Sequence, residues 1–154
     1  MLWTTLPIDT RDQVEEIIDI YRARWVIEEL FKAIKTGCAY QQRRLESPHG
    51  LLNLLALTIP VACRLLLLRH LARHAPDVPA SRALTGSQLA VLAATPRARL
   101  PKRPTIQDAF CAIARLGGHL RRNRKPGWQI LTRGYYELLV LEEGWLAARG
   151  RAEM

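Results

Sequence analysis

Cysteine is scarce in this 154-residue sequence and gives no sign of a disulfide-stabilised fold. The three cysteines, Cys38, Cys63 and Cys111, lie far apart. An odd and widely spaced set excludes a disulfide framework and is typical of a reducing compartment. No basic segment followed by a long apolar run opens the sequence, so we expect no secretory leader. Internal repeats are also lacking, and the length predicts one domain with at most a small appendage.

An unbroken transmembrane run is lacking as well. The most apolar stretch, residues 51–68, contains Asn53, Pro60 and Arg64. A spanning helix needs roughly 20 consecutive apolar residues, and an arginine within it is costly. We therefore predict a buried helix, kinked or restarted near Pro60, in a soluble cytoplasmic protein with no membrane contact.

Acidic residues are too few to balance the basic ones. The chain has 23 Lys and Arg against 14 Asp and Glu, which gives a net charge of +9. Residues 76–136 carry the whole excess, because the charges of the other segments cancel. This distribution favours a polyanionic partner, most simply nucleic acid, although a ribosomal or membrane surface would match the charge too. With 49% hydrophobic residues the chain can form a packed core, which excludes wholesale disorder.

The pattern of apolar and helix-breaking residues predicts a mainly α fold. Residues 1–6 are rich in β-branched and aromatic side chains and predict one short strand that Pro7 ends. Thr10 and Gln13 have the spacing of a capping box, which opens a long helix, and Gly37 is placed to end it. Prolines interrupt the region from about 76 to 104. Further helices are predicted at about 48–74, 87–94, 105–119 and 128–148.

The first helix carries a cluster of polar side chains on one face. At about 100° per residue, an arc of about 80° contains five of them, namely Tyr21, Arg24, Glu28, Lys32 and Lys35. One interpretation is a solvated face with ion pairs between residues four apart, such as Arg24–Glu28 and Glu28–Lys32. The other interpretation is a functional surface.

The spacing of this cluster resembles a known motif. Tyr21, Arg24, Glu28 and Lys35 match the Tyr-x2-Arg-x3-Glu-x6-Lys pattern, YREK, of bacterial insertion-sequence transposases of the IS-four type, to which the transposon-five enzyme belongs. The flanking Trp3-Thr-Thr-Leu-Pro-Ile8 and Lys35-Thr36-Gly37 are similar to that family as well. Further on, Ala112-Ile-Ala-Arg-Leu-Gly-Gly118, Gly127-Trp128 and Arg133-Gly134 resemble its C-terminal part.

This resemblance implies a cut-and-paste DDE transposase with an RNase H-like catalytic core. In that family two Asp and one Glu hold two divalent cations, Mg²⁺ or Mn²⁺, which drive phosphoryl transfer on DNA. Carried over by position, Glu28 would be the catalytic and metal-binding carboxylate. Tyr21, Arg24 and Lys35 would bind transposon-end DNA, and Lys32 joins them from its place on the same face.

The sequence departs from the family in its aspartates. The two catalytic Asp lie on earlier strands of the family's core that have no counterpart here. Asp9 and Asp12 lie at the entrance of the first helix, and Asp19 falls on the side opposite Glu28. The base-stacking tryptophan of the family has no counterpart in register either. We therefore predict no independent catalysis, although the resemblance itself is to an enzyme.

Two further clusters invite a functional interpretation. Arg121, Arg122, Arg124 and Lys125 precede Trp128 and predict a loop that either grips DNA phosphates or is simply solvated. Cys63, His70 and His74 share one side of a predicted helix and allow a zinc site, but no fourth ligand has a matching spacing. A cysteine in an apolar run is more typical of a core.

The resemblance predicts three regions. They are a core remnant with the last strand and the Glu-bearing helix (1–37), a helical connector (38–104), and a C-terminal dimerisation-type region (105–154). The leading hypothesis is a C-terminal transposase fragment that binds DNA. The alternatives are a non-catalytic helical module that binds DNA or pairs with full-length transposase, and an unrelated basic helical protein. The apolar face of the last helix, with Leu131, Tyr135 and Leu138, predicts self-association or packing within the chain.

Overall fold

The computed structural model describes residues 3–39, 44–120 and 125–152. It is mainly helical, as predicted. Its α-helices are α1 (Arg11–Ala23), α2 (Trp25–Lys32), α3 (Pro48–His74), α4 (Gly86–Ala94), α5 (Ile106–Leu116) and α6 (Trp128–Ala152). A π-helical turn (Ala33–Gly37) follows α2, and a 3-10 turn (Ala80–Arg82) precedes α4.

The predicted N-terminal strand is wrong for the residues that the structure describes. Residues 3–8 are irregular and exposed, and Met1 and Leu2 lie outside the described ranges. A strand is stable only when its backbone groups pair with a neighbour. The described ranges offer no sheet that could supply one, since their β pairing is an isolated bridge between Pro79 and Thr105.

The predicted capping box opens α1. The Thr10 hydroxyl accepts from the Gln13 amide at 3.3 Å, and the Gln13 side chain accepts from the Thr10 amide at 3.0 Å. The helix does not run unbroken to Gly37, however. It is interrupted at Arg24, resumes as α2 and ends as the π-helical turn.

Helix α3 continues through Pro60 and does not restart there. It buries Thr58, Ala62, Leu65 and Leu68 and packs against α2, α5, α6 and the π-helical turn. By length and composition alone it could also cross a membrane, a test that core helices of soluble proteins pass too. Four of its 27 residues are buried, whereas Leu52 and Leu57 are exposed, so the predicted burial holds for part of the helix.

Helices α5 and α6 cross at two glycines. A Cβ on Gly134 would lie 1.9 Å from the Ile113 carbonyl oxygen, and one on Gly117 would lie 2.0 Å from the Ile130 oxygen. Only a residue without a side chain lets the two backbones approach this closely. The Arg133 guanidinium then donates to the Gly117 carbonyl, from Nε at 2.7 Å. These glycines belong to the C-terminal sequence blocks singled out above, and the structure gives them a packing role.

The apolar face of α6 lies in the core of the chain. Leu131 and Leu138 are fully buried and Tyr135 nearly so. The helix packs on α4, α5, α3 and the π-helical turn. Intramolecular packing therefore accounts for this face. Self-association stays a prediction, but these buried side chains are not available to support it.

One polar network joins α4 to α6. Glu142 of α6 accepts hydrogen bonds from the Thr85 hydroxyl at 3.2 Å, from the Gln88 amide at 3.0 Å and from the Ser87 hydroxyl. Burial raises the pKa of Glu142, but these three donors outweigh it and hold the pKa below the ordinary value of 4.5. The carboxylate thus ties the start of α4 to the middle of α6.

Candidate nucleic-acid interface

The motif-bearing helices lie on the outside of the molecule. Neither α1 nor α2 contains a buried residue. All five predicted side chains are exposed, namely Tyr21, Arg24, Glu28, Lys32 and Lys35. The region is therefore open to a large ligand such as a DNA duplex.

Two cations of the motif rest on aromatic rings. The Arg24 guanidinium lies 5.4 Å from the centre of the Tyr21 ring, and the Lys35 ammonium lies 5.8 Å from that of Phe31. Such contacts hold a cation in place without neutralising it. Arg24 and Lys35 therefore keep their charge for an anionic partner.

The predicted ion pairs through Glu28 do not form. Lys32 instead lies 3.6 Å from Glu29, and the Glu28 carboxylate is exposed, with neither a hydrogen bond nor an ion pair to any described residue. Glu28 and Lys32 both lie within α2, where Lys32 pairs with Glu29 three residues earlier and not with Glu28 four residues earlier.

A divalent metal would find too few ligands here. Among the described residues no three Asp, Glu, His or Cys side chains are grouped so that they could hold an ion. Asp19 pairs with Arg22 at 3.1 Å, away from Glu28. Two-metal sites are built from several oxygen ligands, so Glu28 alone does not fit the Mg²⁺ or Mn²⁺ of the family. The zinc cluster of Cys63, His70 and His74 fails the same test.

The π-helical turn anchors the motif region to the core. Ala33, Ile34 and Cys38 are buried, and a Cβ on Gly37 would lie 2.7 Å from the Thr132 hydroxyl of α6. Burial raises the pKa of the Cys38 thiol, although the nearby side chains of Tyr136 and Thr132 act in the opposite direction. The thiol is accordingly a neutral core group.

The basic loop before α6 is described only at its end. Arg121, Arg122 and Arg124 lie outside the described residues, and Lys125 is exposed. The sequence interpretation missed Arg69, whose guanidinium lies 4.5 Å from the ring centre of the buried Trp128. Its position directly after the apolar stretch 51–68 was the available signal.

A comparison with protein families bears on the same segment. Residues 3–64 match the family model described as transposase DDE domain. This match spans α1, α2, the π-helical turn and the first part of α3, which is less than half of the chain. The segment that carries the YREK-like residues is thus similar to a transposase DDE domain.

Proposed function

We propose that this chain is a DNA-binding part of an insertion-sequence transposase of the YREK type. The observation that carries the proposal is that two features fall on the same segment of the chain. The segment similar to a transposase DDE domain is also the segment whose cationic and aromatic side chains stand exposed. The excess of basic residues matches a polyanion such as DNA.

The roles follow from the chemistry of each side chain. Arg24 and Lys35 are held on aromatic rings and would contact DNA phosphates, with Tyr21 donating its hydroxyl to the same backbone. Lys32 shares its charge with Glu29 and would contribute less. Lys125 belongs to the basic loop and would add a contact at a second place on the surface.

Catalysis by this chain alone is not part of the proposal. Glu28 would serve as a metal ligand only beside further carboxylates, and the described residues provide none close by. We further propose that the full-length protein has the RNase H-like architecture of the family. The alternative function is that of a non-catalytic helical module that binds transposon ends or pairs with full-length transposase.

A binding assay tests the DNA proposal. With about 5 phosphate contacts, the logarithm of duplex affinity should fall against the logarithm of salt concentration with a slope of roughly −4.5. The double variant Arg24→Gln/Lys35→Gln should lower that slope by about 1.8, because two phosphate contacts are lost. A control double variant, Arg82→Gln/Arg103→Gln, changes the net charge equally at exposed positions elsewhere. A wild type that fails to bind duplex DNA, or a control that loses as much as the motif variant, contradicts the proposal.

A cleavage assay tests whether this chain alone can cleave or join DNA. The chain with Mg²⁺ or Mn²⁺ should neither nick nor join transposon-end DNA, and Glu28→Gln should behave like wild type. Metal-dependent cleavage that disappears in Glu28→Gln would contradict this part and would demand ligands that the described residues do not supply.

A further inference from the structure

A second cationic feature lies outside the motif region, between α3 and α5. This α3–α5 cleft has a volume of about 290 Å³. Its lining consists of Arg69, Ala72 and Arg73 of α3, Gln107, Phe110, Cys111 and Ala114 of α5, and His119, Lys125 and Pro126 from the segment between α5 and α6. Among the described residues, none that lines it is acidic.

Two nitrogen atoms of cleft-lining residues are buried without a hydrogen-bond partner among the described residues. They are Nη1 of Arg69 and Nδ1 of His119. Buried polar atoms are normally paired, because an unpaired one has lost its water without replacement. An anionic oxygen in the cleft could accept from both nitrogens.

The Arg69 guanidinium is held in position before any ligand arrives. It lies against the ring of Trp128, which is itself buried. Burial lowers the pKa of Arg69, the charge of Arg73 lowers it further, and the charge of Glu29 raises it. An anion between the two arginines would relieve that unfavourable environment.

Glu29 is the acidic group that competes for Arg69. It lies in a neighbouring cleft between α2 and α3, where its carboxylate contacts Lys32 at 3.6 Å. No ion pair joins it to Arg69 among the described residues, and its other oxygen is buried without a partner. Glu29 therefore leaves the Arg69 Nη1 group without a hydrogen-bond partner.

We propose that the α3–α5 cleft binds a backbone phosphate of duplex DNA. The inference rests on the proposed function for the identity of the polyanion. Its residues lie outside the motif, although Arg69 and Arg73 also line the neighbouring cleft between α2 and α3. Arg69 and His119 would donate from the cleft wall. Arg73 and Lys125, both exposed, would meet the phosphate at the rim. Arginine and lysine are the common phosphate-binding side chains in protein–DNA complexes.

The test compares two double variants of equal charge. Arg73→Gln/Lys125→Gln removes the exposed rim of the cleft and leaves the core untouched, whereas Arg82→Gln/Arg103→Gln is the control. The cleft variant should lose about tenfold or more of its duplex affinity at about 0.1 M salt, and its salt slope should fall by about 1.8. The control should stay close to wild type.

A second readout follows His119 directly. The imidazole NMR signals of His119 in the wild-type chain should shift on titration with duplex DNA, and should shift less in the cleft variant. Inorganic phosphate is titrated separately to distinguish a free anion from DNA. If phosphate moves the His119 signals while DNA does not, the cleft is a free-anion site and the DNA assignment is overturned.

The outcomes separate the two proposals. A wild type that does not bind duplex DNA refutes the proposed function itself. A wild type that binds DNA, with equal losses in the cleft and control variants, refutes the cleft alone. A selective loss in the cleft variant together with shifted His119 signals supports it.

Discussion

The two ends of the chain use amphipathic helices in opposite ways. Helices α1 and α2 bury no side chain, and Trp25, Val26 and Ile27 are each about half exposed. Helix α5 buries six of its eleven residues, and α6 completes the same core. The difference shows that amphipathic periodicity alone does not decide whether a helix is covered.

The difference also separates the motif region from the stabilising core. The eight largest fully buried side chains all follow residue 64, whereas the match to a transposase DDE domain covers residues 3–64. The folding free energy therefore resides mainly in α3 to α6. Substitutions in the motif helices should change binding with little effect on stability.

The largest expected effect comes from the helix crossing. Gly134→Ala places a Cβ against the Ile113 carbonyl and should lower the free energy of unfolding by at least about 2 kcal/mol. Gly144→Ala in the same helix meets no atom within 4 Å and should raise it by about 0.5–1 kcal/mol. Denaturant titrations of both variants measure the contrast, and equal effects would show that the crossing is not tight.

A second pair of variants compares the two regions directly. Leu138→Ala removes a fully buried side chain of α6 and should cost about 2–5 kcal/mol of unfolding free energy. Ile27→Ala removes a half-exposed side chain of α2 and should change it by less than about 0.5 kcal/mol. If thermal unfolding shows that Ile27→Ala costs as much as Leu138→Ala, α2 is covered in solution.

Acid should weaken the link between α4 and α6. The folded-state pKa of Glu142 lies below its ordinary value, so the stability that its ionised form contributes is present above pH 4.5 and is lost as the pH falls through the lower folded value. Glu142→Gln should be less stable than wild type near neutral pH and should lose less on acidification. Parallel stability curves for the two proteins between pH 6 and 3 would contradict the role given to the network.

The smallest expected effect is at Glu28. Its carboxylate is exposed and makes no ion pair with a described residue, so Glu28→Gln should alter the free energy of unfolding by less than about 0.5 kcal/mol. The control is Glu29→Gln at the next position. The Glu29 carboxylate pairs with Lys32, and its charge raises the pKa of Arg69. A larger loss in Glu28→Gln than in Glu29→Gln would assign Glu28 a structural role.

Local sequence rules predicted the helices well where the signals were local. The Thr10 capping box, the opening at Thr105 and the glycines after α5 are short-range patterns, and each marks an observed helix end. The strand prediction was wrong because pairing depends on a neighbour that composition does not reveal. The π-helical turn was missed because its docking of Gly37 on Thr132 is a tertiary contact. The break at Arg24 was missed as well.

The candidate sites also differ in how far a local sequence pattern reveals them. Tyr21, Arg24 and Lys35 are each exposed, but they lie in α1, at the helix break and in the π-helical turn, so their common face stays a prediction. The α3–α5 cleft could not be predicted from the sequence, because Arg69, His119 and Lys125 are distant in sequence and meet only through the packing of α3 on α5.

Amide hydrogen exchange with and without duplex DNA tests the central claim most directly, namely that the motif helices lie outside the core and are free to bind DNA. Without DNA, amides of α1 and α2 should exchange more than about tenfold faster than those of α5 and α6, because their opening requires no disruption of the core. DNA should slow exchange in α2 and the π-helical turn. Equal protection of the two regions without DNA, or no protection of α2 by DNA, would contradict the account.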